Sequence, residues 1–203
     1  MASKQAIDRS KLEIAPLLEV QIDPAFTCGD SDLDDFIRND AGPSEHLHIT
    51  RTFVAFYGPR MVGFIALLND AVTLAANERR KLRDSSSGAR LSGSSHPVVP
   101  AVKIARLGVC STFKEANGGI GTALVRFAYV QALSLDPKVG CRLLTVDAYP
   151  QSVKFYERLG FVFNLDKRYE GKETPSMRLD LYAETPPTFL SEDDQAPSSQ
   201  QPS

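Results

Sequence analysis

Apolar positions along the chain fall into short strand-type runs interleaved with a few stretches of helical spacing. Leu12–Leu17 predicts a first strand. Arg51–Tyr57 and Met61–Asn69 are rich in β-formers and are separated by Gly58, Pro59 and Arg60, which predicts a hairpin. Val102–Cys110, Arg142–Ala148, Phe161–Tyr169 and Pro175–Ala183 predict four more strands. A helix starts at Asp30 or Ser31 as N-cap, with acidic residues in its first turn and Leu33, Phe36 and Ile37 on one face. Ile120–Leu135 carries Ile120, Leu124, Phe127 and Ala128 at helix spacing. Ala75–Asp84 and Gln151–Leu159 predict shorter helices, the latter ended by Gly160. The order is β-α-β-β-insertion-β-α-β-α-β-β, a mixed α/β chain. Within it, strand 102–110, helix 120–135 and strand 142–148 form one crossover unit, which predicts a parallel pair with a right-handed connection.

Composition divides the chain further. Its 203 residues, 42% hydrophobic, suffice for one domain with a core. Residues 184–203 are rich in Pro, Ser and Gln with four acids, and read as a disordered acidic tail. Residues 1–10 read as a flexible N-terminus, leaving 11–183 as the domain. Inside it, 77–97 is a basic, serine-rich insertion with Arg79, Arg80, Lys81, Arg83 and Arg90. A solvated helix with a flexible loop is the plain reading of that stretch; contact with an anionic substrate or a nucleic acid beside an active site is the other. Lys and Arg number 23 against 25 Asp and Glu, a net charge of −2, which argues against a protein living on bulk nucleic acid or an anionic membrane. No apolar run approaches the roughly 18–20 residues that span a bilayer, and the N-terminus lacks a signal-peptide pattern. The three cysteines, Cys28, Cys110 and Cys141, are widely spaced, and His46 and His48 lack further ligands at zinc spacing. The expectation is a cytoplasmic protein with free thiols and no metal site.

The densest chemical signal lies at residues 117–122. A strand ends at Cys110, and after a short loop Asn117-Gly118-Gly119-Ile120-Gly121-Thr122 opens the long helix. Glycines admit a ligand close to the backbone, and the first-turn N–H groups lack intrahelical partners and carry partial positive charge. Together they suit a phosphate or pyrophosphate. No Gly-Lys-Ser/Thr follows, so this is not a P-loop, and Leu124 stands where a dinucleotide fingerprint needs a third Gly or Ala. Downstream, the strand ending at Asp147-Ala148 turns through Tyr149-Pro150 into a helix bearing Phe155 and Tyr156.

This constellation resembles the GNAT superfamily of acyl-CoA-dependent N-acyltransferases. Val102–Cys110 matches the family's fourth strand, Gly119-Ile120-Gly121 its pyrophosphate loop, and Phe155-Tyr156-Glu157-Arg158-Leu159-Gly160-Phe161 its late helix and following strand. The likeness spans residues 11–183. It implies a central, mostly antiparallel sheet with one splayed parallel pair, and acetyl-CoA as co-substrate for direct attack by a primary amine. Leu107, Gly108 and Val109 would line the pantetheine strand-fashion. Asn117, Gly118, Gly119, Ile120, Gly121 and Thr122 would hold the pyrophosphate, with Lys114 and Phe155 beside the cofactor. Tyr156 matches the general-acid tyrosine, and a phenol of pKa about 10 suits a departing thiolate. Two positions depart from the pattern: Ala116 stands where the family carries Gln or Arg, and Pro150-Gln151 where many members carry Asn.

The acceptor and the general base stay open at this level; Glu45, His48, Asp70 and Asp147 are the base candidates. The segment Cys28–Ala41 is also similar to bacterial GNAT toxins that acetylate aminoacyl-tRNA. That resemblance leaves a tRNA or antitoxin partner open, and the superfamily leaves a homodimer open. A non-catalytic acyl-CoA-binding module, motivated by Ala116, and a nucleotide-binding Rossmann-like domain are the rival readings.

Overall fold

The computed structural model describes residues 8–82, 98–114 and 119–190. Strands Leu12–Pro16 (β1), Arg51–Tyr57 (β2), Arg60–Thr73 (β3), Val98–Val109 (β4), Leu143–Asp147 (β5), Val162–Phe163 (β6) and Ser176–Asp180 (β7) form one sheet. Their order is β1-β2-β3-β4-β5-β7-β6. Only β4 and β5 run parallel. The helices are Ser31–Asp35 (α1), Ala41–His46 (α2), Ala76–Arg79 (α3), Ser111–Lys114 (α4), Ile120–Val139 (α5) and Val153–Arg158 (α6). The mixed α/β architecture expected from the element order is the one observed.

Helices cover both sheet faces, so the central strands read as nearly continuous apolar runs rather than alternating ones. On one face α5 buries Ile120, Leu124, Val125, Ala128, Tyr129 and Ala132 against Val62, Ile65, Ile104 and Leu144. On the other, Leu33, Ile37 and Ala41 pack on Val54, Met61 and Phe64, with the Phe36 ring stacked near Phe64 at 6.1 Å. Asp30 starts α1 by accepting the Asp32 and Leu33 amides. A π-helical turn, Phe36–Asp40, joins α1 to α2. It lies just before Pro43, which has no amide hydrogen and crowds the preceding turn.

Several boundaries differ from the sequence-based expectation. Strands β3 and β4 are longer, because Asp70–Thr73 pairs with Val98–Ala101. Helix α5 runs past Leu135 and through Pro137 to Val139, where the Asp136 side chain accepts the Cys141 amide. The strand expected over Phe161–Tyr169 shrinks to two residues. Asn164 turns inward onto Ser176, the Leu165 amide donates to buried Glu78, and Asp166 caps a 3-10 turn over Lys167–Tyr169. Residues 8–10, assigned to a flexible terminus, belong with Lys11 to a capped 3-10 turn. Residues 184–190, assigned to the tail, stay packed: Phe189 is buried edge-on to Tyr129 at 5.6 Å, and the Thr188 hydroxyl donates to the Arg158 carbonyl. Of the basic insertion, positions 83–97 lie outside the described residues, as do 191–203.

Candidate active site

The parallel pair opens into a cleft. β4 and β5 are paired only from Ala101–Leu143 to Ile104–Val146. Beyond Ile104, β4 continues for five residues with only β3 beside it. The divergence begins at a register shift opposite Ala66 and Leu67, where Ala105 is the extra residue. The bulge also changes which residues face β5. Upstream, the Pro100 carbonyl accepts from the Arg142 amide on that side. Downstream, Cys110 donates to Val62 on the β3 side, so strand alternation turns the backbone groups of Leu107 and Val109 toward the gap.

A cavity of about 620 Å³ fills this gap. Leu107 and Val109 line it from β4, Asp147 and Tyr149 from the end of β5, and Phe155 and Tyr156 from α6. The start of α5 closes one end. Gly119 sits at φ +66°, a left-handed conformation that favours glycine, and caps the helix. The first helical bond runs from Ala123 N–H to the Gly119 carbonyl, so the Ile120, Gly121 and Thr122 amides have no intrahelical acceptor. All three residues, with Gly119, line the cavity.

Other sequence-predicted residues are placed differently. Gly108 does not line the cavity. A Cβ there would overlap the Phe64 ring, with Cδ1 and Cζ each 3.0 Å away, so its smallness serves packing between sheet and α1. Gly121 likewise admits the Phe155 ring, whose Cζ would stand 3.2 Å from an added Cβ. Lys114 lines the cavity, but its Nζ donates to the Cys28 carbonyl at 2.8 Å, tying α4 to the loop before α1. Asn117 and Gly118 lie outside the described residues.

Tyr156 is buried, its ring edge-on to Phe155 and Phe161 at 5.0 and 5.3 Å. Among the described residues its hydroxyl has no hydrogen-bond partner, and it faces the cavity. Burial pushes its pKa well above the ordinary phenol value, so the group holds its proton. Of the four base candidates only Asp147 lines the cavity, ion-paired with Lys103. Glu45 is buried elsewhere and accepts the Thr52 amide and an Arg51 guanidinium N–H. Asp70 accepts the Thr145 hydroxyl at 2.7 Å, and His48 is exposed in a left-handed turn.

One cluster escaped sequence reasoning. The Tyr149 hydroxyl donates to Asp32 at 2.8 Å, and Arg106 Nε lies 3.7 Å from the same carboxylate, its guanidinium over the Phe36 ring. Burial, then the hydrogen bond to Asp32, pushes the Tyr149 phenol up. Tyr149 and Arg106 line the cavity, and Asp32 reaches them from α1; Tyr149 and Asp32 are 117 positions apart in the chain, and no local pattern links them. Among the described residues no His, Cys, Asp and Glu group could hold a metal ion, and no helix is long and apolar enough to cross a membrane.

Several known proteins are similar to this chain. Residues 16–161 match the model of the acetyltransferase (GNAT) family. A tRNA-acetylating toxin of Mycobacterium tuberculosis is 28% identical over 138 residues, 68% of this chain and 76% of that protein. Among solved structures, a tyrosine-to-phenylalanine variant of the toxin AtaT, bound to the C-terminus of the antitoxin AtaR and acetyl-CoA, superposes with a TM-score of 0.65 at 20% identity. That match covers 84% of this chain and 94% of AtaT. AtaT complexed with acetyl-methionyl-tRNAfMet gives a TM-score of 0.66 at 20% identity, covering 83% and 94%. Family match and cleft together carry the conclusion: the chain belongs to the acetyltransferase (GNAT) family and is an acetyl-CoA-dependent N-acetyltransferase.

Proposed function

We propose that the acceptor is the primary amine of an aminoacyl group carried on tRNA. The likeness to the tRNA-acetylating toxin over 138 residues carries this reading. The cleft fits the co-substrate on three counts: a β4 margin unpaired on the β5 side, helix-start amides without intrahelical acceptors, and a tyrosine hydroxyl without a partner among the described residues.

Acetyl-CoA supplies the activated acetyl group and the thiolate leaving group. Leu107 and Val109 offer N–H and C=O groups in strand geometry to an amide-bearing pantetheine arm. The amides of Ile120, Gly121 and Thr122 meet the pyrophosphate at the positive end of α5. Tyr156 holds a proton at neutral pH and donates it toward the departing sulfur. Asp147, as the cavity-lining base candidate, takes the amine proton directly or through water. The Asp32–Tyr149–Arg106 cluster sits where an acceptor enters and presents a carboxylate to its ammonium. An antitoxin partner, self-association and a cytoplasmic location belong to the same reading.

The test is transfer of radiolabelled acetyl groups from acetyl-CoA to charged tRNA, uncharged tRNA and a panel of polyamines and free amino acids. Label that precipitates with charged tRNA and is released by mild base, which cleaves the aminoacyl ester, is the expected result. Label confined to the small amines would overturn the tRNA reading and leave the acetyltransferase intact. Acetyl-CoA binding without transfer to any acceptor would favour a binding module.

A further inference from the structure

The N-terminal turn places a cation against the start of α5. Arg9 belongs to the 3-10 turn Arg9–Lys11, which Asp8 caps through the Ser10 amide and which leads directly into β1. The first sheet strand therefore fixes where it lies. Its guanidinium rests against Gly119: an added Cβ there would fall 2.5 Å from Nη2 and 2.7 Å from Cζ and Nε. Among the described residues Arg9 has no hydrogen-bond or ion-pair partner. The adjacent carboxylate, Asp8, is turned to Ser10 and Lys11.

A free guanidinium beside a helix start is an unfavourable pairing by itself. The first amides of α5 and the positive end of its dipole repel a cation. An anion between them converts repulsion into a chelate, with amide donors on one side and a planar fork of donors on the other. The loop itself lacks such a side chain, because Ala116 occupies the position where a Gln or Arg is expected. We propose that Arg9 supplies that missing phosphate-binding group from outside the loop, gripping a phosphate of the co-substrate against the amides of Ile120–Thr122. The proposal rests on the reading of the α5 start as the phosphate site.

Calorimetric titration of the full chain, as wild type, R9A and R9K, tests it with three ligands: acetyl-CoA, acetyl-dephospho-CoA and acetyl-pantetheine. Loss of a charge-assisted contact predicts acetyl-CoA binding about 10- to 100-fold weaker in R9A and partly restored in R9K. Acetyl-pantetheine, which has no phosphate beyond the arm, is expected to bind all three proteins alike. A defect that persists with acetyl-dephospho-CoA assigns Arg9 to the pyrophosphate and supports the proposal; one that vanishes assigns it to the 3′-phosphate, away from the α5 amides, and overturns it. Equal acetyl-CoA affinity in wild type and R9A overturns it while leaving the phosphate site standing. Tighter binding in R9A makes Arg9 an obstacle and overturns it too. No binding of acetyl-CoA by the wild type removes the phosphate site itself, and Arg9 with it.

Discussion

At the scale of single residues, Tyr156 combines two properties seldom found together: a ring locked by aromatic neighbours and a hydroxyl with no partner among the described residues. A buried hydroxyl normally finds a partner. Here the partner position lies in the cavity, which is where a reacting group would stand. Removing this hydroxyl strands no protein group, so Tyr156→Phe should leave thermal stability unchanged. It should lower kcat by about 100-fold or more, the usual range for a lost acid, with little effect on acetyl-CoA affinity. Stopped-flow turnover and a thermal melt on one preparation check both halves. An unchanged rate removes the residue from its role. The pH profile follows from the upward shift of the phenol. A group whose pKa is raised by burial stays protonated through the ordinary phenol range, so kcat should rise with amine deprotonation and hold its plateau through about pH 10, where an ordinary phenol would be half ionised.

Among the elements, β4 determines the site. Its bulge at Ala105 reverses which residues face β5, and the strand outruns its parallel neighbour by five positions. Gly108 holds this bent strand close to Phe64 from the opposite face. Gly108→Ala should therefore cost about 1–3 kcal/mol through overpacking, measured by urea unfolding, and Phe64→Leu in the same chain should recover part of it. A neutral Gly108→Ala would show that the ring yields without cost. The β4–α5–β5 unit was legible in sequence because periodicity, strand runs and the helix-opening glycines all agree locally. The role of Gly108 was not, because its neighbour is a ring on an antiparallel strand more than 40 positions earlier. Asp32 reads locally as a first-turn acid, and only the fold brings it to Tyr149 and Arg106. The short β6 was misread because Asn164 and Leu165 satisfy buried Ser176 and Glu78, which lie elsewhere in the chain. Arg9 was discounted as part of a loose end, since nothing near it in sequence announces Gly119.

For the molecule as a whole, the limits of the folded body matter more than composition suggests. Residues up to Ala183 were expected to suffice, yet Phe189 fills part of the main core beside Tyr129. A chain ending after Leu190 keeps Phe189 and sets the reference melt. One ending after Ala183 should lose about 3 kcal/mol or more, the scale of deleting a buried phenyl ring, which differential scanning calorimetry reads as a lower Tm. Equal melts would make Phe189 a passenger. The divergence of β4 from β5 bears finally on aggregation. An open strand invites pairing with another copy, and proteins usually guard against it at the rim of a sheet. Here the rim ends in the two-residue β6, while the open stretch is internal, walled by the end of β5 and the start of α5. A second polypeptide would have to bring side chains on both of its faces into that slot. A slender, unbranched amide chain would not. The molecule can thus keep a backbone ready for recruitment by a ligand while withholding it from other copies of itself.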